Sequence, residues 1–238
     1  EKRIKEGVKF WLDNKPKLEE AERKFGVPPE IITAIIGVET FYGRNSGSYR
    51  VIDSLNTLAF HYPKRAAFFL SELEHFLLLT REQDFDPEQL EGSYAGAMGM
   101  PQFISSSYRN YAIDFDNDNV ADIWHNPDDV IGSVANYFFE HGWKNKEPII
   151  SKVMIEGDGY KSILDKSLEL NISKTDLKKY GILTSFDFHD LFDRIFSTVF
   201  PTVSNVMKMR IEQGQMSVYI FKNIFHFFQG LLLRVSLG

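Results

Sequence analysis

Glu39 closes an almost uninterrupted apolar run that begins at Ile31, and a glycine-rich loop, Gly92-Ser-Tyr-Ala-Gly-Ala-Met-Gly99, follows some fifty residues later. Ile32 and Ile35 precede the glutamate by seven and four residues, so on a helix all three share one face. Burial penalises the charged form of a carboxyl and raises its pKa, keeping it protonated near neutrality. A protonated glutamate at the edge of a cleft is equipped to act as a general acid on a glycosidic bond. The spacing alone fits a second reading equally well, a helix-end glutamate that reaches solvent or pairs with Arg44. Asp53 and Asp84 are the candidate second carboxylates for a mechanism with two carboxyl groups, although neither lies in a recognisable motif.

An acidic loop offers different chemistry. Asp114, Asp116, Asp118 and Asp122 fall at positions 1, 3, 5 and 9 of an EF-hand-like calcium loop, with Val120 at the position that supplies a backbone carbonyl. Position 6, usually glycine, is Asn119, which tolerates a left-handed backbone better than most residues. Position 12, usually a bidentate glutamate, is His125, and Asp128 or Asp129 is placed to substitute for it. The expected occupant is a weakly held structural Ca2+; the alternative is a solvated acidic turn.

Helices must position these residues. The segment from Ile4 to Phe25 reads as two short helices broken at Pro16, and Pro28-Pro29-Glu30 starts the helix that carries Glu39 and ends near Gly43. Leu55 to Leu79 reads as helix with a break at Tyr62-Pro63. Asp84 to Gly99 is turn-rich. A helix from Phe103 to Tyr111 is expected to be capped by Ser105-Ser-Ser107, and Asp128-Asp129 opens another through Phe139. After Pro148 the texture becomes mixed: a strand within Ile149 to Ile155, a turn at Gly157-Asp-Gly159 and a short helix from Thr175 to Tyr180.

The bulk numbers exclude several classes. A chain of 238 residues with 43% hydrophobic and 25% charged content can bury a substantial core and is not disordered. A net charge of −6 without a lysine/arginine cluster disfavours nucleic-acid binding. The absence of cysteine removes disulfides, thiolate metal sites and cysteine nucleophiles. The apolar stretch from Val218 to Leu233 is too short and too interrupted by Lys222, His226 and Gln229 to read as a membrane span. The chain opens at Glu1 without a charged n-region and an apolar h-region, so no signal peptide is visible in it, and a leader removed before Glu1 fits this reading.

Five motifs occur together and in order: Gly37-Val-Glu39-Thr-Phe-Tyr-Gly43, Leu58-Ala-Phe-His-Tyr62-Pro-Lys64-Arg65-Ala66, Gly92 to Gly99, Pro101-Gln-Phe-Ile-Ser-Ser-Ser-Tyr108 and Ile131-Gly-Ser-Val-Ala-Asn-Tyr137. With them residues 1 to 183 resemble the B-type lytic murein transglycosylases, bacterial cell-wall enzymes. The resemblance implies a mainly α fold, a lysozyme-like catalytic core with a small mixed α/β appendage. It places Glu39 as the single acid/base, Ser93 and Gln102 as polar cleft residues, and Phe103 and Tyr137 as aromatic cleft lining. Lys64 and Arg65 would lie near the peptide-bearing side of the glycan. For Lys64 and Arg65 a solvated helix face is nearly as good a reading, and Met98 and Met100 read as core filling.

The implied reaction cuts between N-acetylmuramic acid and N-acetylglucosamine and leaves a 1,6-anhydro end, with no cofactor required. One residue suffices as acid and then base because the sugar's own C6 hydroxyl is the nucleophile. The family includes members with a calcium site at the acidic loop. The implied partners are peptidoglycan glycan strands and other cell-wall enzymes, with the chain a monomer. The implied location is the periplasm, with an outer-membrane anchor carried by a leader outside this chain. Two alternatives stand beside this: a lysozyme-like glycan hydrolase in which Asp53 positions water, and a non-catalytic peptidoglycan-binding remnant.

The expected division is a helical core over 1–145, a mixed insert over 146–184 and a divergent apolar tail over 185–238. Nine of the 21 phenylalanines fall after Thr184, where caps and turn signals thin out and the resemblance stops. A helical stripe runs through Phe188, Phe192 and Phe196, and the abrupt change of texture is what a shifted reading frame would give. The tail is expected to be a poorly packed, apolar appendage.

Overall fold

The computed structural model of the protein describes residues 2–145, 153–164, 174–184, 207–212 and 215–220. The chain divides into two compact units with the border after Asn145.

The first unit is helical. Its elements are α1 (Lys2–Asp13), α2 (Lys15–Phe25), α3 (Pro29–Thr40), β1 (Tyr49–Arg50), α4 (Val51–His61), α5 (Ala66–Glu82), β2 (Glu91–Gly92), α6 (Ser105–Tyr111) and α7 (Pro127–Glu140). The break between α1 and α2 falls at Asn14 rather than at Pro16, which sits in the first turn of α2. Proline there gives up an N–H that has no partner in a first turn anyway. Tyr62-Pro63 separates α4 from α5 as expected, through a 3-10 turn over Pro63–Arg65.

Helix α3 is apolar on nearly every side because it is enclosed. Ile32, Ile35, Ile36, Gly37 and Thr40 are buried, and α1, α2 and α7 all pack on it. Leu18, Phe69, Phe76, Leu79, Met98, Phe103, Ile123, Tyr137 and Phe138 complete the core. The two methionine-and-aromatic positions Met98 and Phe103 are thus core residues.

Helix α6 corrects a local expectation. It starts at Ser105, and no serine side chain caps it from the preceding position. Instead the buried Glu72 of α5 reaches across, its Oε2 accepting from the Ser106 N–H at 2.9 Å and its Oε1 from the Ser106 hydroxyl at 2.7 Å. A carboxylate at a helix N-terminus answers both the unpaired N–H groups and the dipole. Long-range capping of this kind leaves no mark in the local sequence.

In the second unit β3 (Val153–Ile155) pairs antiparallel with β4 (Ile182–Thr184), with α8 (Lys161–Leu164) and α9 (Lys174–Lys179) between them. Strands β5 (Met207–Glu212) and β6 (Gln215–Ile220) form an antiparallel hairpin, and β6 lies near β3. The strand and short helix expected after Pro148 are present, the strand beginning at Val153 among the described residues. Two strands therefore occur in the segment read as a poorly packed apolar appendage with a helical stripe. The phenylalanine stripe at Phe188, Phe192 and Phe196 lies outside the described residues, as does most of the apolar stretch beyond Ile220. Among the described residues no helix is long and apolar enough to cross a membrane.

Candidate active site

Glu39 stands in the last turn of α3, and the chain reverses immediately after it. Phe41 and Tyr42 both have positive φ, 55° and 60°, and both turn their N–H groups to the Ile36 carbonyl. Non-glycine residues in this region are uncommon and persist where surrounding contacts hold them. The contact is a slot: the Tyr42 hydroxyl end lies against Gly7 of α1 and Gly37 of α3, where a side chain on either glycine would collide with it. The Tyr42 ring also stacks on Phe10 at 5.4 Å between centroids.

The carboxyl itself is half-buried, and its Oε1 is buried with no hydrogen-bond partner among the described residues. Burial raises its pKa from the ordinary 4.5 to about 8. The group is therefore a proton donor at neutral pH. Arg44, the alternative partner in the sequence, pairs instead with Glu6 at 2.6 Å. Asp53 and Asp84 are exposed, and Asp53 is bonded to Arg50 at 2.7 Å.

Thr40, the neighbour of Glu39, ties the helix end to the glycine-rich loop. Its hydroxyl donates to the Met100 carbonyl at 2.9 Å and accepts from the Gly43 N–H at 3.0 Å, and the residue is fully buried. Gln102 makes the second tie, its Nε2 donating to the carbonyls of Ser46 at 3.0 Å and Gly99 at 2.9 Å. Gly47, at φ 98°, makes the third: any Cβ there would run into the backbone of Gly92. Ser93 organises the loop from within, its hydroxyl accepting from the N–H groups of Ala95 and Ala97 at 3.3 and 3.0 Å. The structure thus brings the end of α3, Ser93 and Gln102 into one seam.

Thr40 carried no signal beyond its place beside the glutamate. Thr40→Val keeps the shape and removes both bonds, leaving buried backbone groups unpaired at about 1–3 kcal/mol each. The expected result is a lower melting temperature and a roughly tenfold lower kcat with little change in KM, converted at about 1.4 kcal/mol per decade. Thr40→Ser should restore both. A Thr40→Val protein with unaltered kcat would show the tie to be dispensable.

The aromatic expectations need correction. Phe103 is 2% and Tyr137 1% exposed, their centroids 5.7 Å apart, so they form the floor behind the loop rather than an open cleft wall. Phe103 is fixed there because it and Met98 exchange backbone hydrogen bonds at 2.8 and 3.0 Å. Lys64 is exposed at the corner between α4 and α5, and the Arg65 guanidinium lies over the Phe68 ring at 4.2 Å.

In the acidic loop, carboxylate oxygens of Asp114, Asp116, Asp118 and Asp129 all lie within 4.8 Å of one another. Asn117 and Asn119 take the left-handed backbone that the loop needs, at φ 65° and 78°. Asp122 departs from its expected place. Its Oδ1 accepts from the N–H groups of Trp124 and His125, and the fourth carboxylate of the group is Asp129. Helix α7 delivers Asp129 fully buried, with its two oxygens accepting from the N–H groups of Phe115 and Asp122 at 2.7 and 2.8 Å. Burial, joined by the charges of Asp116 and Asp114, raises its pKa. Hard carboxylate oxygens gathered on a loop of this backbone suit a calcium ion, whose charge would relieve the crowding.

The family pattern described as Transglycosylase SLT domain matches residues 1–204. The membrane-bound lytic murein transglycosylase B of Escherichia coli (strain K12) is 53% identical over 140 residues, 59% of this chain and 38% of the relative. The chain thus spans about two fifths of that relative's length. Among solved structures, catenated SltB1 from Pseudomonas aeruginosa superposes with a TM-score of 0.80 at 44% identity, covering 94% of this chain and 70% of that one. The Escherichia coli lytic transglycosylase Slt35, solved in complex with calcium, gives 0.75 at 36% identity, covering 96% and 69%. The fold is that of the lysozyme-like lytic transglycosylases. The likeness also runs past Thr184, where the sequence motifs end.

Proposed function

Since the chain belongs to the SLT transglycosylase domain family, we propose that it cleaves the glycan strand of peptidoglycan between N-acetylmuramic acid and N-acetylglucosamine, with Glu39 as both acid and base. The observation that carries the reading is the buried Oε1 of Glu39, without a hydrogen-bond partner among the described residues and with a pKa raised to about 8, at the end of α3. The carboxyl donates its proton to the glycosidic oxygen as the bond to the sugar C1 breaks. The resulting carboxylate then takes the proton of the C6 hydroxyl as that oxygen attacks C1. The product carries a 1,6-anhydro ring, and Glu39 ends protonated, ready for another cycle.

The seam around Glu39 supports positioning. Thr40, Gln102 and Gly47 hold the loop that follows α3 against the glycine-rich loop, which fixes the carboxyl relative to the loop that carries Ser93. Preorganisation of this kind lowers the entropic part of the barrier. Phe103 and Tyr137 act from behind as the packed floor. Lys64, exposed at the corner between α4 and α5, would meet an acidic group on the substrate's peptide. Asp114, Asp116, Asp118 and Asp129, with the Val120 carbonyl, would hold a calcium ion. Bound there it supplies charge neutralisation and rigidity, and the chemistry remains with Glu39. The site of action that fits this substrate is the periplasm.

The pH dependence tests the acid. The free enzyme must carry a protonated Glu39, so kcat/KM for solubilising purified peptidoglycan should hold up to a limb near pH 8 and fall about tenfold per pH unit above it. The limb should vanish with the acid's removal. A limb at pH 4 to 5, where an ordinary carboxyl titrates, would assign the proton donor elsewhere.

A further inference from the structure

Beside the loop that follows α3 lies a cavity of about 430 Å3 that the mechanism leaves unused. Ser46 and Gly47 form one wall, and Phe85, Glu91, Asp122, Trp124 and His125 are among the residues that line the rest. All of these belong to the first unit. The volume falls in the range of about 300–1,000 Å3 typical of small-ligand sites. The wall shared with the candidate active site is bonded into it, since the Ser46 carbonyl receives Gln102 and the Gly43 N–H is held by Thr40.

We propose that this cavity is a further sugar subsite, taking one N-acetylhexosamine ring of the glycan strand with Trp124 as its platform and Glu91 as a polar acceptor. The inference rests on the glycan-cleaving reading above. A pyranose ring has an apolar C–H face and a rim of hydroxyl and amide donors, and the cavity offers a surface for each. Trp124 is half-buried and held in place from three sides. Its Nε1 donates to the Glu91 carbonyl at 3.2 Å, Phe85 meets its ring edge-on at 5.8 Å, and Tyr108 packs at 5.8 Å. Tyr108 is itself anchored, its hydroxyl donating to the Ala121 carbonyl at 2.8 Å. A platform so fixed loses little freedom on binding.

The charge selects the ligand. Glu91 and Asp122 line the cavity and repel anions, while neutral donors are welcome. Asp122 has one oxygen engaged by two backbone N–H groups, and its Oδ2 lies 3.5 Å from the His125 Nδ1. The side chain of Glu91 is exposed, and β2 holds its backbone opposite Arg50. Glu91 directly precedes the glycine-rich loop, so a sugar held here lies on the strand that continues into Ser93.

The test is calorimetric titration of the β-1,4-linked N-acetylglucosamine hexamer into the full chain carrying Glu39→Gln, which cannot consume the glycan. Adding Trp124→Phe should weaken binding about tenfold, and adding Glu91→Gln about threefold, with the melting temperature confirming that each protein is folded. Glu91 is exposed, so its variant reports even if the Trp124 variant is unstable. Equal affinity across the three proteins overturns the subsite. So does a hexamer that fails to bind while the wild type still solubilises peptidoglycan. A stem-peptide amine as the true occupant appears as binding of peptide-bearing fragments that needs Glu91, with the hexamer indifferent to Trp124→Phe. If the wild type does not solubilise peptidoglycan at all, the underlying glycan reading fails, a separate result.

Discussion

Glu39→Gln is expected to lower peptidoglycan cleavage by roughly 10³-fold or more, since general acid and general base catalysis each contribute about 10²–10⁴ and one residue serves both. The amide has the same shape and can neither give nor take the proton. Fold and glycan affinity should be retained, and stability should move in a direction that the burial dictates. The folded-state pKa of Glu39 lies above its ordinary value, so the folded protein holds a proton that the unfolded chain releases between pH 4.5 and about 8. Wild-type stability is therefore reduced as pH rises through that window, and the reduction is complete above pH 8. The ceiling is about 1.4 kcal/mol per pH unit, lowered by the solvent contact that a half-buried carboxyl keeps. The glutamine variant lacks this term, so its melting temperature should gain on the wild type from pH 5 to pH 8. A gap that stays constant with pH would mean that Glu39 titrates normally.

Calcium should give the second largest effect. An ion that binds only the folded state stabilises by about 2.7 kcal/mol at a hundredfold excess over Kd, which for a chain of this size is roughly 5–10 °C in melting temperature. Loss of the last glutamate ligand of an EF-hand to His125 implies weak binding, so millimolar calcium is the relevant range. Asp116→Asn with Asp118→Asn should remove the response, and chelator should reverse it. A melting temperature indifferent to calcium, to chelator and to these substitutions would leave the loop as a solvated acidic turn.

The elements and the acid were legible in the sequence because their signals are local. Prolines and Glu30 mark the start of α3, the apolar run requires its enclosure, and Glu39 interrupts that run. The clustering of the Asp114, Asp116 and Asp118 carboxylates follows from loop spacing, and Asp129 was visible only as one of two substitutes. What escaped is long-range. Glu72 caps a helix 34 residues away, Thr40 bonds a carbonyl 60 residues away, and Gln102 reaches back 56 residues to Ser46. Asp122 kept its place in the spacing pattern but turned to the backbone of Trp124 and His125, a choice that only the folded loop reveals. Phe103 and Tyr137 were read as cleft lining from resemblance, whereas packing with Met98 and Phe138 draws them into the core. The hairpin of β5 and β6 was missed although its strands alternate, Met207, Met209 and Ile211 of β5 standing between Lys208, Arg210 and Glu212, because the segment lies beyond the last of the matched motifs and was read only as part of the apolar tail.

The central claim is that one carboxyl acts alone, with the sugar's own hydroxyl as nucleophile. The direct measurement is mass spectrometry of the muropeptides released when the chain is incubated with purified peptidoglycan. The expected products end in 1,6-anhydro-N-acetylmuramic acid, lighter by one water than the hydrolysed ends and resistant to borohydride reduction. Release of reducing ends instead, with an isotope from labelled water at C1, would contradict the claim and place a water molecule where the C6 hydroxyl is argued to act.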